Sequence, residues 1–142
     1  MESLPKPTLG RLRTGAEFRV VYGKGQRYHS PYFAAFIMPT EAGVARLGIT
    51  ATRKVGKAVV RNRCKRRLRE IFRLHQPATL CGIGYDLVFN VKKDLAQADF
   101  TAVVQSFEQT LQRFQTFLDR RAKAKVIESA AISTSNDTQA EQ

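Results

Sequence analysis

The chain has few of the features that mark membrane proteins, disulfide scaffolds or protein-based hydrolases. Nowhere in its 142 residues is there a run near the ~18 consecutive apolar residues a membrane span needs, and no apolar stretch opens it as a signal peptide would. A membrane-integral or secreted protein is therefore not expected. Two cysteines, Cys64 and Cys81, are too few for a disulfide framework, and their setting suits a reducing cytoplasm. The only histidines are His29 and His75, and no Cys/His cluster has metal-ligand spacing. Acids are scarce where bases are dense. Residues 1–75 hold 17 Lys+Arg and 4 Asp+Glu, a net of +13, while residues 76–142 hold 7 and 8, a net of −1. No carboxylates pair in the basic half, so general acid–base hydrolysis by the protein itself lacks its groups. Gly23-Lys24-Gly25 and Gly82-Ile83-Gly84 match no phosphate-cradling loop and read as turns. No internal repeat is visible.

What is present is a basic chain with a formal charge of +12 and 43% hydrophobic residues, enough to bury a modest core and too many for a disordered tail. The implied partner is a polyanion. Between Arg53 and Arg73 stand ten bases and one acid, Glu70. At about 100° per residue, Val60, Cys64, Leu68 and Ile71 fall within about 80° of one another, with Asn62, Lys65, Arg66, Arg69 and Arg73 opposite. This spacing predicts a helix over roughly residues 57–74 with one face buried and the other cationic. Cys64 lies on the apolar stripe and reads as a small core residue.

Residues 1–13, with Pro5 and Pro7, read as an irregular basic lead-in. Thr14 and Glu17 have capping-box spacing and open a short helix ended by Gly23, with Phe18, Val21 and Tyr22 on one face. Tyr32–Met38 reads as a strand closed by Pro39, and Arg46–Thr52 as an alternating strand. Tyr85–Val91 is a third strand, and Asp99 caps a last helix striped by Val103, Val104, Phe107, Leu111, Phe114 and Leu118. Residues 14–125 are predicted to form a single RNA-binding domain. Residues 126–142, rich in Ser, Thr, Asn, Gln and Ala, are predicted to be a disordered tail. The order α-β-β-α-β-α predicts an α+β sandwich, a small, mostly antiparallel sheet of three to four strands with three helices.

The run Arg61-Asn62-Arg63-Cys64-Lys65-Arg66-Arg67-Leu68-Arg69 resembles the signature of the bacterial ribonuclease P protein subunit. Gly48–Val59 (GITATRKVGKAV) is similar to that family's strand and turn before the helix. Phe18–Arg27 (FRVVYGKGQR) resembles its first helix, and Tyr85–Lys92 (YDLVFNVK) its last strand. The resemblance spans about residues 8–118. It implies a ribonucleoprotein endonuclease in which a catalytic RNA, holding Mg²⁺, removes the 5′ leader of precursor tRNA, with no protein active site. The partners implied are that catalytic RNA subunit and precursor tRNA, with no DNA, membrane or small-molecule substrate. The resemblance also implies a fourth strand, near Gln26–His29, and a left-handed crossover around the basic helix. Carried over by position, Arg61, Asn62, Arg63, Lys65, Arg66 and Arg69 form an RNA-binding helix. Phe18, Tyr22, Phe36, Arg53 and Lys54 line a leader-binding cleft, with Lys57 as an accessory charge. The competing reading is a structural or ribosomal RNA-binding protein with no part in cleavage.

Overall fold

The computed structural model of the chain describes residues 9–41, 43–77, 80 and 83–140. Residues 1–8 of the lead-in, Cys81, Gly82 and the last two residues of the tail lie outside these. The elements run β1 (Leu9–Arg11), α1 (Gly15–Lys24), β2 (Gln26–His29), β3 (Phe33–Thr40), β4 (Ala45–Thr50), α2 (Ala58–Leu74), β5 (Gly84–Val91), a 3-10 turn (Lys93–Gln97) and α3 (Phe100–Ala140). The described residues up to Leu111 form one compact unit and those from Gln112 a second.

The five strands form one sheet in the order β1-β4-β5-β3-β2. β3 is antiparallel to β2 and β5, and β4 is parallel to β1 and β5. The architecture is the α+β one expected, with more strands than the three or four predicted. β1 falls in the lead-in that composition marks as irregular, and its three residues are too few to show a period. It exists because Leu9, Gly10 and Arg11 pair with Ala45, Arg46 and Leu47 of β4. β2, QRYH, is polar and buries only Tyr28.

Two helix and strand ends also moved. α1 stops at Gly25, not Gly23, with the Gly25 N–H donating to the Val21 carbonyl at 2.8 Å. A Cβ on residue 25 would lie 2.6 Å from that oxygen and 3.3 Å from the Ile37 backbone, so the last α1 carbonyl demands glycine there and β3 leaves little room beside it. β3 continues through Pro39 to Thr40. β2 has ended opposite Ile37 by then, leaving a flank where proline is tolerated.

Alternation divides the sheet into two faces. On one, Tyr85, Leu87 and Phe89 of β5 are buried beneath α2 and the start of α3. Phe89 packs edge-on to Phe33 at 4.7 Å and near Phe107 at 5.9 Å, and Tyr85 meets Phe72 at 6.5 Å. On the other lie Asp86, Val88 and Asn90, and here α1 docks through Val21 beside Leu12 and Val88. In the second unit α3 runs on to Ala140, through residues 126–140 of the predicted disordered tail. That region lacks an apolar stripe in its sequence. It also lacks any Gly or Pro, none of which occurs after Gly84, so nothing stops the helix.

One ion cluster fastens α1 to the sheet. Arg46 holds Asp86 in a fork, Nε to Oδ1 at 2.9 Å and Nη2 to Oδ2 at 2.7 Å, and reaches Glu17 with Nη1 at 2.8 Å. The Asp86 side chain is only 3% exposed, so its charge depends on that fork. Glu17 also closes the capping box with Thr14. The N–H groups of Arg13 and Thr14 hold the Glu17 carboxyl down from 4.5 to about 2, helped by the Thr14 hydroxyl and Arg46 against the opposing effect of burial.

Replacing Arg46 by Ala strands a buried carboxylate and is expected to cost about 3 kcal/mol in urea denaturation, with Arg46→Lys recovering only part because it lacks the fork. A lowered carboxyl pKa stabilises the fold fully above pH 4.5, and that contribution drains away as pH falls toward 2. Glu17→Gln should therefore flatten the pH dependence of the urea midpoint in that window. An unchanged slope would show that Glu17 is not held as described.

Candidate nucleic-acid interface

The cationic helix starts where Gly56, at φ +153°, turns the chain out of the β4 loop. α2 buries Cys64, Leu68, Ile71 and Phe72, close to the predicted stripe. Burial pushes the Cys64 thiol up, against the opposing pull of Arg63 and Arg67, which leaves it a neutral core group. The cations around this stripe do not all face the same way. Arg67 donates from Nη1 to the carbonyls of Leu95 and Ala98 at 3.4 and 3.3 Å, and Arg63 Nη2 approaches the Ala96 carbonyl at 3.5 Å. Both lean onto the 3-10 turn. Arg61 lies on the packed side, half-buried, with its Nε enclosed and without a partner among the described residues. Arg73 pairs with Glu70 at 2.9 Å. Asn62, Lys65, Arg66 and Arg69 make no hydrogen bond or ion pair among the described residues, and all but the half-buried Lys65 are exposed. Of the six predicted helix residues, these four leave their polar ends unengaged among the described residues. Arg63 divides its reach with the turn, and Arg61 is set deeper.

The second surface is the α1 face of the sheet. Phe18, Tyr22 and Phe36 come together there with Met38, each half-buried against Leu12, Val21 and Val88. The Tyr22 and Phe36 rings meet edge-to-face at 4.8 Å and 81°. Tyr22 donates its phenol proton to Asn90 Oδ1 at 2.6 Å, so the Thr50 hydroxyl, 3.1 Å away, donates to the phenol oxygen. Both bonds fix the ring without using its open face. Phe18 lies directly over Gly48: a Cβ there would be 2.6 Å from Cζ and 2.8 Å from Cε2 of its ring. Arg53 and Lys54 are exposed in the turn between β4 and α2, three and four residues beyond Thr50. No contact ties them to the aromatic cluster, and they stand between it and the helix in the chain.

Three members of this surface escaped the sequence. The Arg27 guanidinium sits 5.5 Å over the Phe36 ring because β2 pairs Arg27 with Phe36. That contact becomes visible only once the β2 register is known. Thr50 and Asn90 share the face with Val88, and period-two alternation in Tyr85–Val91 could have placed Asn90 there. Among the described residues no three His, Cys, Asp or Glu groups gather as a metal site. No helix among them is long and apolar enough to cross a membrane.

Comparison with known proteins agrees with this architecture. The family model described as Ribonuclease P matches residues 7–115. A ribonuclease P protein component from Desulfovibrio desulfuricans is 40% identical over 112 residues, covering 76% of this chain and 85% of the relative. One from Caldanaerobacter subterraneus is 37% identical over 105 residues, covering 74% and 89%. The solved structure of the RNase P protein from Thermotoga maritima superposes with a TM-score of 0.63 at 33% identity, covering 72% of this chain and 96% of that one.

The seat of Phe18 can be tested directly. Gly48→Ala drives a methyl into its ring and is expected to cost about 1–3 kcal/mol in urea denaturation. Most of that cost should vanish in a Phe18→Leu background, where the ring edge is gone. A cost that persists would mean that Gly48 is needed for its backbone rather than for the aromatic contact.

Proposed function

The chain belongs to the ribonuclease P protein family, and from that premise we propose that it binds a catalytic RNA subunit and the 5′ leader of precursor tRNA, promoting removal of the leader. The observation that carries this reading is the pairing, within residues 1–111, of an acid-poor cationic helix with a rigid, half-exposed aromatic cluster. The helix cations neutralise phosphates of the RNA subunit and release counterions. The cluster offers ring faces to unpaired bases, which stack with little regard to sequence. Because a leader exists only in the precursor, contacts with it favour substrate over product.

The chain's own carboxylates near the cluster are occupied. Glu17 and Asp86 both bind Arg46. Mg²⁺, held mainly by the RNA subunit, supplies the activated water and charge stabilisation for phosphodiester hydrolysis. The protein's part is to draw two polyanions together and orient one of them.

Purified chain should leave precursor tRNA intact in Mg²⁺ alone and stimulate a bacterial ribonuclease P RNA at low salt and low Mg²⁺. Cleavage by the protein alone would overturn the reading. RNA binding without stimulation would favour a structural RNA-binding role. Arg66→Ala is expected to cost on the order of 1 kcal/mol of RNA affinity and to flatten the salt slope by about 0.7–0.9 units. Phe36→Ala should weaken precursor binding by about 1–3 kcal/mol and spare mature tRNA, measured by filter binding of both. Equal losses would reduce Phe36 to a core role.

A further inference from the structure

The segment that matches the family ends at residue 115, while α3 runs on to Ala140. The apolar seam of this helix is regular. Val103, Phe107, Leu111 and Phe114 are buried, and half-buried Leu118 follows, in steps of three and four residues. The same steps lead next to Arg121 and then to Lys125, so cations stand where the seam calls for apolar groups. With Arg120 and Lys123 they make a cluster of four bases, all exposed and without a hydrogen bond or ion pair among the described residues. Asp119 is the one acid between Thr116 and Ile127. The helix dipole does not account for the cluster, since it favours cations in a last turn and Lys125 lies about four turns before Ala140. Nor does solubility. Residues 116–142 hold four bases and four acids, so this stretch adds no net charge and instead gathers its bases at one place.

We propose that Arg120, Arg121, Lys123 and Lys125 form a further RNA-binding surface, one that grips the phosphate backbone of a base-paired segment. The proposal goes beyond the function given above and rests on it for the partner, an RNA that the chain already meets. Base-paired RNA is recognised through its shape and phosphates more than its base edges, which asks for cations on a regular rod and no stacking rings. At about 100° per residue the four bases spread over about 200° of the helix surface, wide enough to meet phosphates on both walls of a groove. An unpaired strand fits less well. No aromatic residue follows Phe117, and Phe117 is half-buried and stacked on Phe114 with ring centroids 6.2 Å apart. An anionic membrane surface also fits less well, because an interfacial helix needs an apolar face beneath its cations. Ala122 and Ala124 are the only apolar side chains between Asp119 and Lys125. The paired segment can belong to the RNA subunit or to the body of tRNA, since both present the same backbone.

The test compares the full chain with a variant carrying Arg120→Gln, Arg121→Gln, Lys123→Gln and Lys125→Gln, which keeps good helix formers throughout. Filter binding to an RNA hairpin with a fully paired stem should weaken about tenfold, with the salt slope flattened by about 2 units, while binding to oligouridylate of the same length changes by less than about twofold. A second variant, Arg120→Lys with Arg121→Lys, keeps the charge and should hold hairpin affinity within about twofold, which separates the cations from any change in the helix. The ratio of precursor to mature tRNA affinity should stay as it is in the unsubstituted chain. Hairpin binding that survives the four substitutions, equal losses on paired and unpaired RNA, a loss confined to precursor tRNA, or a loss on phosphatidylglycerol vesicles in place of the hairpin would overturn the proposal. In the assembled complex, Lys123→p-benzoylphenylalanine should photocrosslink to a paired position, and its mapping to the RNA subunit or to tRNA identifies the source. Crosslinks only to unpaired nucleotides count against the surface. Stimulated cleavage by a chain whose hairpin binding survives the four substitutions removes this surface alone. Hairpin binding through these residues in a chain that never stimulates cleavage removes the cleavage reading alone.

Discussion

The Asp86 carboxylate, buried on the middle strand of the sheet, is the constraint around which the α1 face is arranged. It is tolerable there only because Arg46 on the neighbouring parallel strand forks onto both of its oxygens. The same guanidinium extends to Glu17, which is also the group that caps α1. One side chain thereby joins two strands and sets the docking position of a helix. From that anchor the helix climbs β4 in order, Glu17 at Arg46, Phe18 over Gly48 and Tyr22 bonded to Thr50. Each aromatic position follows from the step before it. Glycine at 48 and small polar groups at 50 and 90 then define how deep the rings sink.

The cationic helix is built against its local electrostatic preferences. A helix N-terminus favours anions, yet α2 has no acid in its first turn and no side-chain cap on Lys57, and Arg61 and Arg63 follow directly. Glu70 is the only acid along its length. The buried stripe and the carbonyls that receive Arg67 offset this repulsion without neutralising it. Local rules broken with no structural return are characteristic of surfaces kept for a partner. In the proposed function, RNA bound at this face would supply the missing charges and relieve the repulsion among the arginines.

The parts of the fold visible in the sequence are those written in repeated local patterns. The Cys64, Leu68 and Ile71 stripe and the Thr14–Glu17 box are local patterns, and the structure places both as read. The β4 strand, in contrast, runs Ala45–Thr50 rather than Arg46–Thr52, and its burial alternation breaks at Gly48, which Phe18 covers. What escaped depends on partners distant in sequence. β1 and β2 are made by their pairing, and Gly25 rather than Gly23 ends α1, where a Cβ would strike the Val21 carbonyl and crowd β3. Periodicity also cannot separate a cation that faces solvent from one that turns back on its own fold. Arg63 and Arg67 look like the other bases until the 3-10 turn offers them carbonyls. The candidate aromatics were nameable one by one, but that they form one cluster depends on the sheet order, which no local pattern carries.

That cluster has to be both core and surface, and the two demands select the same residues. A ring that stacks on an unpaired base gains most if it is already fixed, since ordering a free side chain would consume part of the contact energy. Tyr22 is fixed by two hydrogen bonds and an edge contact, Phe36 by Tyr22 and Arg27, and Phe18 by the glycine beneath it. The Arg27 guanidinium lies over one face of Phe36, while Tyr22 is held through its phenol oxygen. In the proposed function, packing beneath the rings would serve recognition above them, and the energetic link between the two is the half-burial itself. Substituting any one ring perturbs the Leu12–Val21–Val88 core along with the surface. For that reason the contrast between precursor and mature tRNA, which share the same folded protein, separates recognition from stability where a single affinity does not.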